Sequence, residues 1–121
     1  MEKFKSFFRE RRYAPLLNIA AGIGAIGESV AEAYYGDWDA AKDSIRASVA
    51  HFVSGAPVIA KNINSNAMSL GVNFGVGTTY LLTDGGPSRS VSYSSLPLVN
   101  LIGVAANAGE MIVKDYKPKN R

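Results

Sequence analysis

The chain has 121 residues, with 13 Lys and Arg, 10 Asp and Glu, and a formal net charge of +3. This length fits a single domain, and the absence of cysteine excludes disulfides, zinc–thiolate and iron–sulfur sites and cysteine nucleophiles. Apolar residues make up 47% of the chain, which is too many for a disordered basic or acidic tail.

Charged residues are concentrated at the two ends of the sequence. Residues 1–13 carry five basic and two acidic side chains, and residues 110–121 carry four basic and two acidic ones. The middle contains four charge-free runs: 14–27, 47–60, 62–83 and 90–109. The last two runs reach the roughly 20 residues that cross a bilayer, but their asparagine, serine and proline content lowers their hydropathy. The sequence alone therefore assigns no transmembrane helix, and buried helices of a compact domain are the alternative interpretation.

The first predicted element is a short amphipathic helix within residues 1–13. Its aromatic residues share one face at spacings of three and four: Phe4, Phe7 and Phe8. Its basic residues flank that face: Lys3, Lys5, Arg9, Arg11 and Arg12. Aromatic rings backed by cations are typical of helices that lie in a membrane interface, although the same face also suits a partner chain. We predict that these eight residues bind an anionic membrane or a partner. No signal peptide is predicted, because no continuous apolar core with a cleavage site follows.

A second helix is predicted over residues 15–35, with Pro15 suited to its first turn. Apolar residues form one stripe on it: Leu16, Ile19, Ile23, Ile26 and Val30. Small residues form another: Ala20, Gly24, Gly27 and Ala31. Each glycine costs a helix about 1 kcal/mol relative to alanine. We therefore expect the small-residue stripe to pack closely against another helix.

The same segment contains a glycine pattern of dinucleotide-binding sites. Residues 22–27 match G-x-G-x-x-G, which in such sites joins a strand to a helix at the pyrophosphate. An acidic residue that ends a second strand is needed about 20 residues later. Asp39 and Asp43 have that spacing, but they lie in a stretch that is typical of a helix. Nucleotide binding through Gly22 to Gly27 therefore remains only the second alternative function.

The clearest amphipathic helix is predicted over residues 38–53, with Asp37 as its N-cap. One face carries its apolar residues: Trp38, Ala41, Ile45, Val49 and Phe52. His51, the only histidine, is expected to be solvated or to cap the helix end. With a single histidine, no multi-histidine metal site is predicted, and the sequence indicates no catalytic residue and no cofactor.

In the second half of the chain, the sequence does not decide between helix and strand for every segment. Residues 57–68 are predicted to be helical, and from 70 to 77 apolar residues alternate with Gly and Asn, which is typical of a strand. Gly71 and Gly75, four residues apart, instead suit a closely packed helix. A last helix is predicted over 97–116. The predicted fold is all-α, a small bundle of four to five helices with Gly/Ala-rich packing faces, and an α+β fold with a β-hairpin over 70–95 is the alternative.

These patterns predict three parts: a basic N-terminal helix (1–13), a helical core domain (14–116) and a basic tail (117–121). The expected function is that of a non-enzymatic, membrane-associated or membrane-inserting protein that acts by self-association. The first alternative is a structural subunit of a larger assembly, such as a virion or filament. There the basic ends would contact nucleic acid, another polyanion or a partner chain. Cytoplasmic localisation is the alternative to membrane association.

Overall fold

The computed structural model describes residues 12–60, 63–83 and 88–116. Within these ranges the chain forms five α-helices and no strand. The helices are α1 (Ala14–Tyr34), α2 (Trp38–Gly55), α3 (Ile63–Thr83), α4 (Val91–Ser94) and α5 (Leu96–Asp115), with a 3₁₀ turn at Ala56–Ile59. The predicted all-α bundle is therefore confirmed.

The four long helices run alternately up and down. α1 packs mainly against α2, and α3 packs mainly against α5. Arg12, before α1, contacts Asp115 at the end of α5, and these residues mark what we call the basal end. Asp37, before α2, contacts Arg89, and these residues mark the distal end. Each long helix therefore connects one end of the bundle to the other.

The turn between α1 and α2 forms where the sequence indicates it. Gly36 has a φ of +81°, a conformation that glycine adopts without steric cost. The Asp37 side chain accepts a hydrogen bond from the Ala40 backbone N–H at 3.3 Å. This contact confirms the predicted N-cap of α2.

The β-hairpin alternative over 70–95 is wrong for the residues that the structure describes, because α3 continues without a break to Thr83. Asn73, Gly77 and Tyr80 are buried, and their spacing of four and three is that of one helix face. The alternation of apolar residues with Gly and Asn from 70 to 77 therefore does not correspond to a strand. The helix predicted over 57–68 is also corrected, since a 3₁₀ turn occupies Ala56–Ile59 and the α-helix begins at Ile63.

The interior of the bundle is polar. The largest fully buried side chains are amides and the histidine: His51, Asn18, Asn66, Asn73, Asn100 and Asn107. The core cluster of apolar residues is small: Ala25, Ala47, Tyr80, Tyr93 and Leu96. His51 is 1% exposed, so the expectation of a solvated histidine is wrong.

The apolar stripes lie outside. Ile23 and Val30 of α1 are 61% and 66% exposed, and Trp38 and Val49 of α2 are 63% and 56% exposed. Most of the large apolar side chains of the two stripes are therefore exposed in the bundle rather than buried. Ala41 is buried, and Ile19 and Phe52 are half-buried, so the stripes reach the contact between α1 and α2 only at these residues.

Candidate functional site

Two helices supply matching pairs of asparagines to the interior. Asn66 and Asn73 are seven residues apart on α3, and Asn100 and Asn107 are seven apart on α5. Seven residues make about two helical turns, so each pair lies on one face. Asn18 of α1 completes the group, and all five side chains are at most 1% exposed. We call these five residues the asparagine cluster.

Hydrogen bonds join four of these five asparagines across three helices, whereas Asn100 donates to the backbone oxygen of Leu96 within α5. Asn18 and Asn73 bond reciprocally, with each Nδ2 donating to the other Oδ1 at 2.9 Å. Asn66 Nδ2 donates to Asn107 Oδ1 at 3.0 Å. Asn107 Nδ2 donates in turn to the Ser69 hydroxyl at 3.1 Å. Burying an amide is unfavourable unless it finds such partners, so these bonds fix how α1, α3 and α5 meet.

Glycines give the amides the space they occupy. A Cβ built at Gly103 on α5 would lie 2.6 Å from Asn73 Oδ1, and one at Gly77 on α3 would lie 3.2 Å from Asn100 Cβ. The backbones of α3 and α5 therefore approach closely where the cluster lies between them. Small residues allow this kind of helix contact.

At the basal end, charged groups tie the start of α1 to the end of α5. The guanidinium of Arg12 donates two hydrogen bonds of 2.7 Å to Asp115. This bidentate contact raises the pKa of Arg12. The Glu110 carboxylate accepts from the backbone N–H groups of Tyr13 and Ala14, at 2.7 and 3.0 Å. Glu110 thus caps α1, whose N-terminus favours negative charge.

At the distal end, acidic residues of α1 hold the segment before α5. Glu28 accepts from the backbone N–H groups of Val91 and Ser92, at 2.6 and 2.9 Å. Glu32 accepts from the Ser44 hydroxyl, which also bonds to that of Ser90 at 2.6 Å. Sequence spacing places Glu28 and Glu32 on one helix face, and the structure shows that this face is engaged within the chain.

An exposed ion pair closes the distal end. Arg89 donates to both carboxylate oxygens of Asp37, at 2.8 and 2.6 Å. The hydrogen bonds from Arg89 lower the pKa of Asp37 to about 2. The ion pair connects the N-cap of α2 to the segment that precedes α4.

The outer surface between the two ends is apolar. On α1, α3 and α5 the exposed large aliphatic, methionine and phenylalanine side chains are Leu16, Leu17, Ile23, Ile26, Val30, Met68, Phe74, Leu81, Leu82, Leu98, Leu101, Ile102, Ile112 and Val113. By length and composition, α1 and α5 are long and apolar enough to cross a membrane. The hydropathy of α3 is lowered by buried asparagines and serines and by the exposed Asn64, Thr78 and Thr79, while no charged residue occurs along its length.

Most of the residues predicted to bind a membrane or partner precede the described part of the chain. The prediction for Lys3, Phe4, Lys5, Phe7, Phe8, Arg9 and Arg11 therefore falls outside the described residues. Arg12 is described, and it is 8% exposed and bonded to Asp115. We remove Arg12 from the predicted surface, because its guanidinium is committed to a contact inside the chain.

The predicted packing stripe of α1 faces outward. Ala20, Gly24, Gly27 and Ala31 are all exposed, and a Cβ at Gly24 or Gly27 would meet nothing within 4 Å. This stripe therefore makes no close helix contact within the described chain. Gly22 lies next to it and does pack closely, with a Cβ there 2.9 Å from the Phe52 ring.

The dinucleotide pattern at 22–27 lies wholly inside α1. The strand and turn that this pattern requires are absent, since the helix is continuous from Ala14 to Tyr34.

Sequence reasoning missed the asparagine cluster, although a signal was present. The repeated spacing of seven in two charge-free runs places Asn66 with Asn73, and Asn100 with Asn107, on single helix faces. The same residues lower the mean hydropathy of each run, which hides this spacing from a test based on hydropathy alone. Comparison of the chain with known protein families, curated proteins and solved structures finds no match.

Proposed function

We propose that this chain is a non-enzymatic helical protein that is embedded in a membrane and acts by self-association. One observation carries the proposal: the bundle has a hydrogen-bonded polar interior and an apolar outer surface. In water this distribution is unfavourable, because burying amides gains little while large apolar side chains stay hydrated. In lipid the apolar surface is solvated and the amides supply the contacts between helices.

The positions of the charges support a membrane-embedded bundle. In the described ranges, charged residues occur only at Arg12, at Arg89, within 28–46 and within 110–115. These groups lie toward the basal or the distal end, and a charge-free belt separates them. α1 and α5 have 21 and 20 residues, which gives lengths of about 30 Å, comparable to the hydrocarbon core of a bilayer. Their charge-free parts, 14–27 and 96–109, account for about 20 Å of this length, and the charged residues lie near one end of each helix.

The helix α2 enters the belt less deeply. Its exposed cations Lys42 and Arg46 lie within about 12 Å of the helix start at the distal end. Long basic side chains extend from such positions to the headgroups while their stems remain in the apolar region. We therefore propose that only the second half of α2 lies in the hydrocarbon core of the membrane.

Aromatic residues lie at both ends of the belt. Tyr13 and Tyr116 mark the basal end, and Tyr34, Tyr35 and Trp38 mark the distal end. All five are exposed. Tyrosine and tryptophan are enriched where headgroups meet acyl chains, so this arrangement supports the same orientation of the bundle.

Exposed glycines support self-association. Gly24 and Gly27 on α1, and Gly71 and Gly75 on α3, each have nothing within 4 Å of a built Cβ. Small residues on a lipid-facing helix let a second helix approach closely. The stripe of Ala20, Gly24, Gly27 and Ala31 thus stays our predicted contact, now between copies of the chain.

Fractionation of cells that express the untagged chain tests the proposal. The pellet is washed in turn with high salt, alkaline carbonate and mild detergent. We expect release only by detergent. Release by salt would indicate a surface contact through basic residues. A water-soluble monomer that ignores anionic liposomes would refute membrane association.

Because the chain has no cysteine, labelling at single introduced cysteines can show what covers the belt. Ile23→Cys places a thiol halfway along α1, and Asp39→Cys is the control at the exposed distal end. In intact membranes we expect a water-borne maleimide to label Asp39→Cys and to spare Ile23→Cys until the protein is denatured. Protection of Ile23→Cys in a lipid-free particle would instead favour the subunit of a larger protein assembly.

A further inference from the structure

The outer surface between α3 and α5 contains a groove of about 330 Å³. Its walls come from apolar residues and a glycine: Phe74, Gly77, Leu81, Pro97, Leu101 and Val104. Three polar residues also line the groove: Thr78 and the buried amides Asn73 and Asn100, which are at most 1% exposed. A mainly apolar cleft with a few polar groups is the usual composition of a small-molecule pocket.

The amide of Asn100 has an acceptor without a partner. Its Nδ2 donates to the backbone oxygen of Leu96 at 2.8 Å. Because a carbonyl oxygen can only accept, this contact decides which amide atom is nitrogen. Oδ1 is buried and has no hydrogen-bond partner in the part of the chain that the structure describes. A ligand with an O–H group could donate a hydrogen bond to Oδ1 and so satisfy this acceptor.

The groove runs along the helix axes. On α5 it extends from Pro97 to Val104, about 10 Å along the axis. A volume of about 330 Å³ over this length accommodates a stretch of hydrocarbon chain, whereas an α-helix with side chains is about 10–12 Å across.

The depth of Asn100 also suits a lipid. Asn100 lies four residues, or about 6 Å, from the start of α5 at the distal end. In the proposed membrane orientation this is the level at which headgroups meet acyl chains. A hydroxyl near a lipid headgroup therefore lies at the level of Asn100 while the acyl chain extends past Leu101 and Val104.

We propose that this groove binds one membrane lipid through a hydroxyl that donates to Asn100 Oδ1, with the lipid's acyl chain along α5. The inference rests on the proposed function, because it takes the distal end to lie at a membrane surface. It adds a defined site and a chemical class of ligand to that function.

A binding experiment on the purified full chain tests this site. The protein is kept in a detergent that has no O–H or N–H group, and monodecanoylglycerol is added as the probe. Its analogue with both hydroxyls methylated is the matched control ligand. By native mass spectrometry we expect one bound glyceride per chain, and binding of the methylated analogue weaker by about two- to tenfold. Equal affinity for the two compounds would overturn the proposal.

Two tryptophan substitutions on α5 locate the binding. Leu101→Trp should fill the groove, and Leu98→Trp adds the same bulk at an exposed position outside it. We expect Leu101→Trp to weaken glyceride binding at least tenfold and Leu98→Trp to leave it unchanged. Retained binding by Leu101→Trp would overturn the site. A change in oligomeric mass alone would overturn it as well, by showing a contact between copies.

The two failures are distinguishable. If the chain proves water-soluble on fractionation, the proposed function fails independently of the glyceride result. If the chain needs detergent but binds both glycerides equally, only the lipid site fails.

Discussion

At the scale of single residues, the buried amides carry the specificity of this bundle. In the membrane that we propose, the outer apolar side chains would contribute little to helix association, because they would contact hydrocarbon both before and after association. The bonds of Asn18 with Asn73, and of Asn66 with Asn107, can form in only one helix arrangement. A few hydrogen bonds therefore select how the helices pack.

Replacing Asn73 tests this role. Asn73→Leu keeps a similar volume and leaves the amide of Asn18 buried without its partner. We expect the free energy of unfolding to fall by about 0.5–2 kcal/mol. Denaturation in mixed micelles, followed by circular dichroism, measures the loss. Phe74→Leu, at an exposed neighbouring position, should change it little, and a loss of similar size there would contradict the role of the amide.

Glycine substitutions on α5 test the close approach of α3. A Cβ at Gly103 would lie 2.6 Å from an Asn73 side chain that hydrogen bonds hold in place, whereas a Cβ at Gly109 would meet nothing within 4 Å. We expect Gly103→Ala to destabilise the fold by about 1–3 kcal/mol, because the helices must separate. Gly109→Ala should have little effect or stabilise slightly. Equal unfolding midpoints for the two variants would show that α3 and α5 are not in close contact.

At the scale of helices, capping and charge define where elements begin, and the interior amides decide which face turns inward. At the distal end, Asp37 caps the start of α2 and also forms an ion pair with Arg89. Glu110 does the equivalent at the basal end, where it accepts from the first N–H groups of α1. The helix ends are thus secured by side chains from distant parts of the sequence.

Acid titration tests the contact between Asp37 and Arg89. The folded pKa of Asp37 is lowered to about 2 from an ordinary 3.8, so its contribution to stability is present above pH 3.8 and is lost as the pH falls toward 2. Asp37→Asn keeps a capping oxygen but lacks the charge. We expect the melting temperature of this variant to fall less than that of the wild type between pH 4 and pH 2.

Asp39→Asn is the matched control, because it removes a nearby carboxylate and retains the ion pair. It should keep the acid dependence of the wild type. If Asp37→Asn and the wild type lose stability in parallel, Arg89 does not stabilise the folded state through this carboxylate.

At the scale of the whole molecule, polarity is inverted relative to a water-soluble bundle. Amides, serines and a histidine lie inside together with Leu96, and most leucines, isoleucines and valines are exposed. The charged residues of the described ranges lie toward the two ends, and a charge-free belt separates them. A lipid bilayer likewise has an apolar layer between two polar surfaces. The proposed orientation therefore places the belt in the hydrocarbon core and the two charged ends at the headgroups.

Fluorescence quenching tests that orientation, because Trp38 is the single tryptophan of the chain and is exposed at the distal end. In vesicles we expect lipids brominated close to the headgroup to quench Trp38 more strongly than lipids brominated deep in the acyl chain. Ile23→Trp in a Trp38→Phe background should show the opposite order, since Ile23 lies midway along α1. Efficient quenching of that variant by a water-soluble quencher would contradict a membrane-embedded belt.

The sequence by itself determined the elements. Proline and glycine positions, the Asp37 cap and the charge-free runs predict an all-α bundle, and α1, α2 and α5 begin and end within two residues of the predicted bounds. Periodicity identified an apolar stripe on α1 and on α2, because that information is local. The continuity of α3 was less determined, since its alternating residues fit both a strand and a helix.

Only the tertiary structure decided which faces meet. The apolar face of an amphipathic helix is buried in a protein that folds in water and exposed in one that folds in lipid, and the periodicity is the same in both. The reciprocal bond between Asn18 and Asn73 joins residues 55 positions apart, which no local pattern can pair. The direction of each face thus depended on long-range hydrogen bonds between amides, and those exist only once the helices are packed.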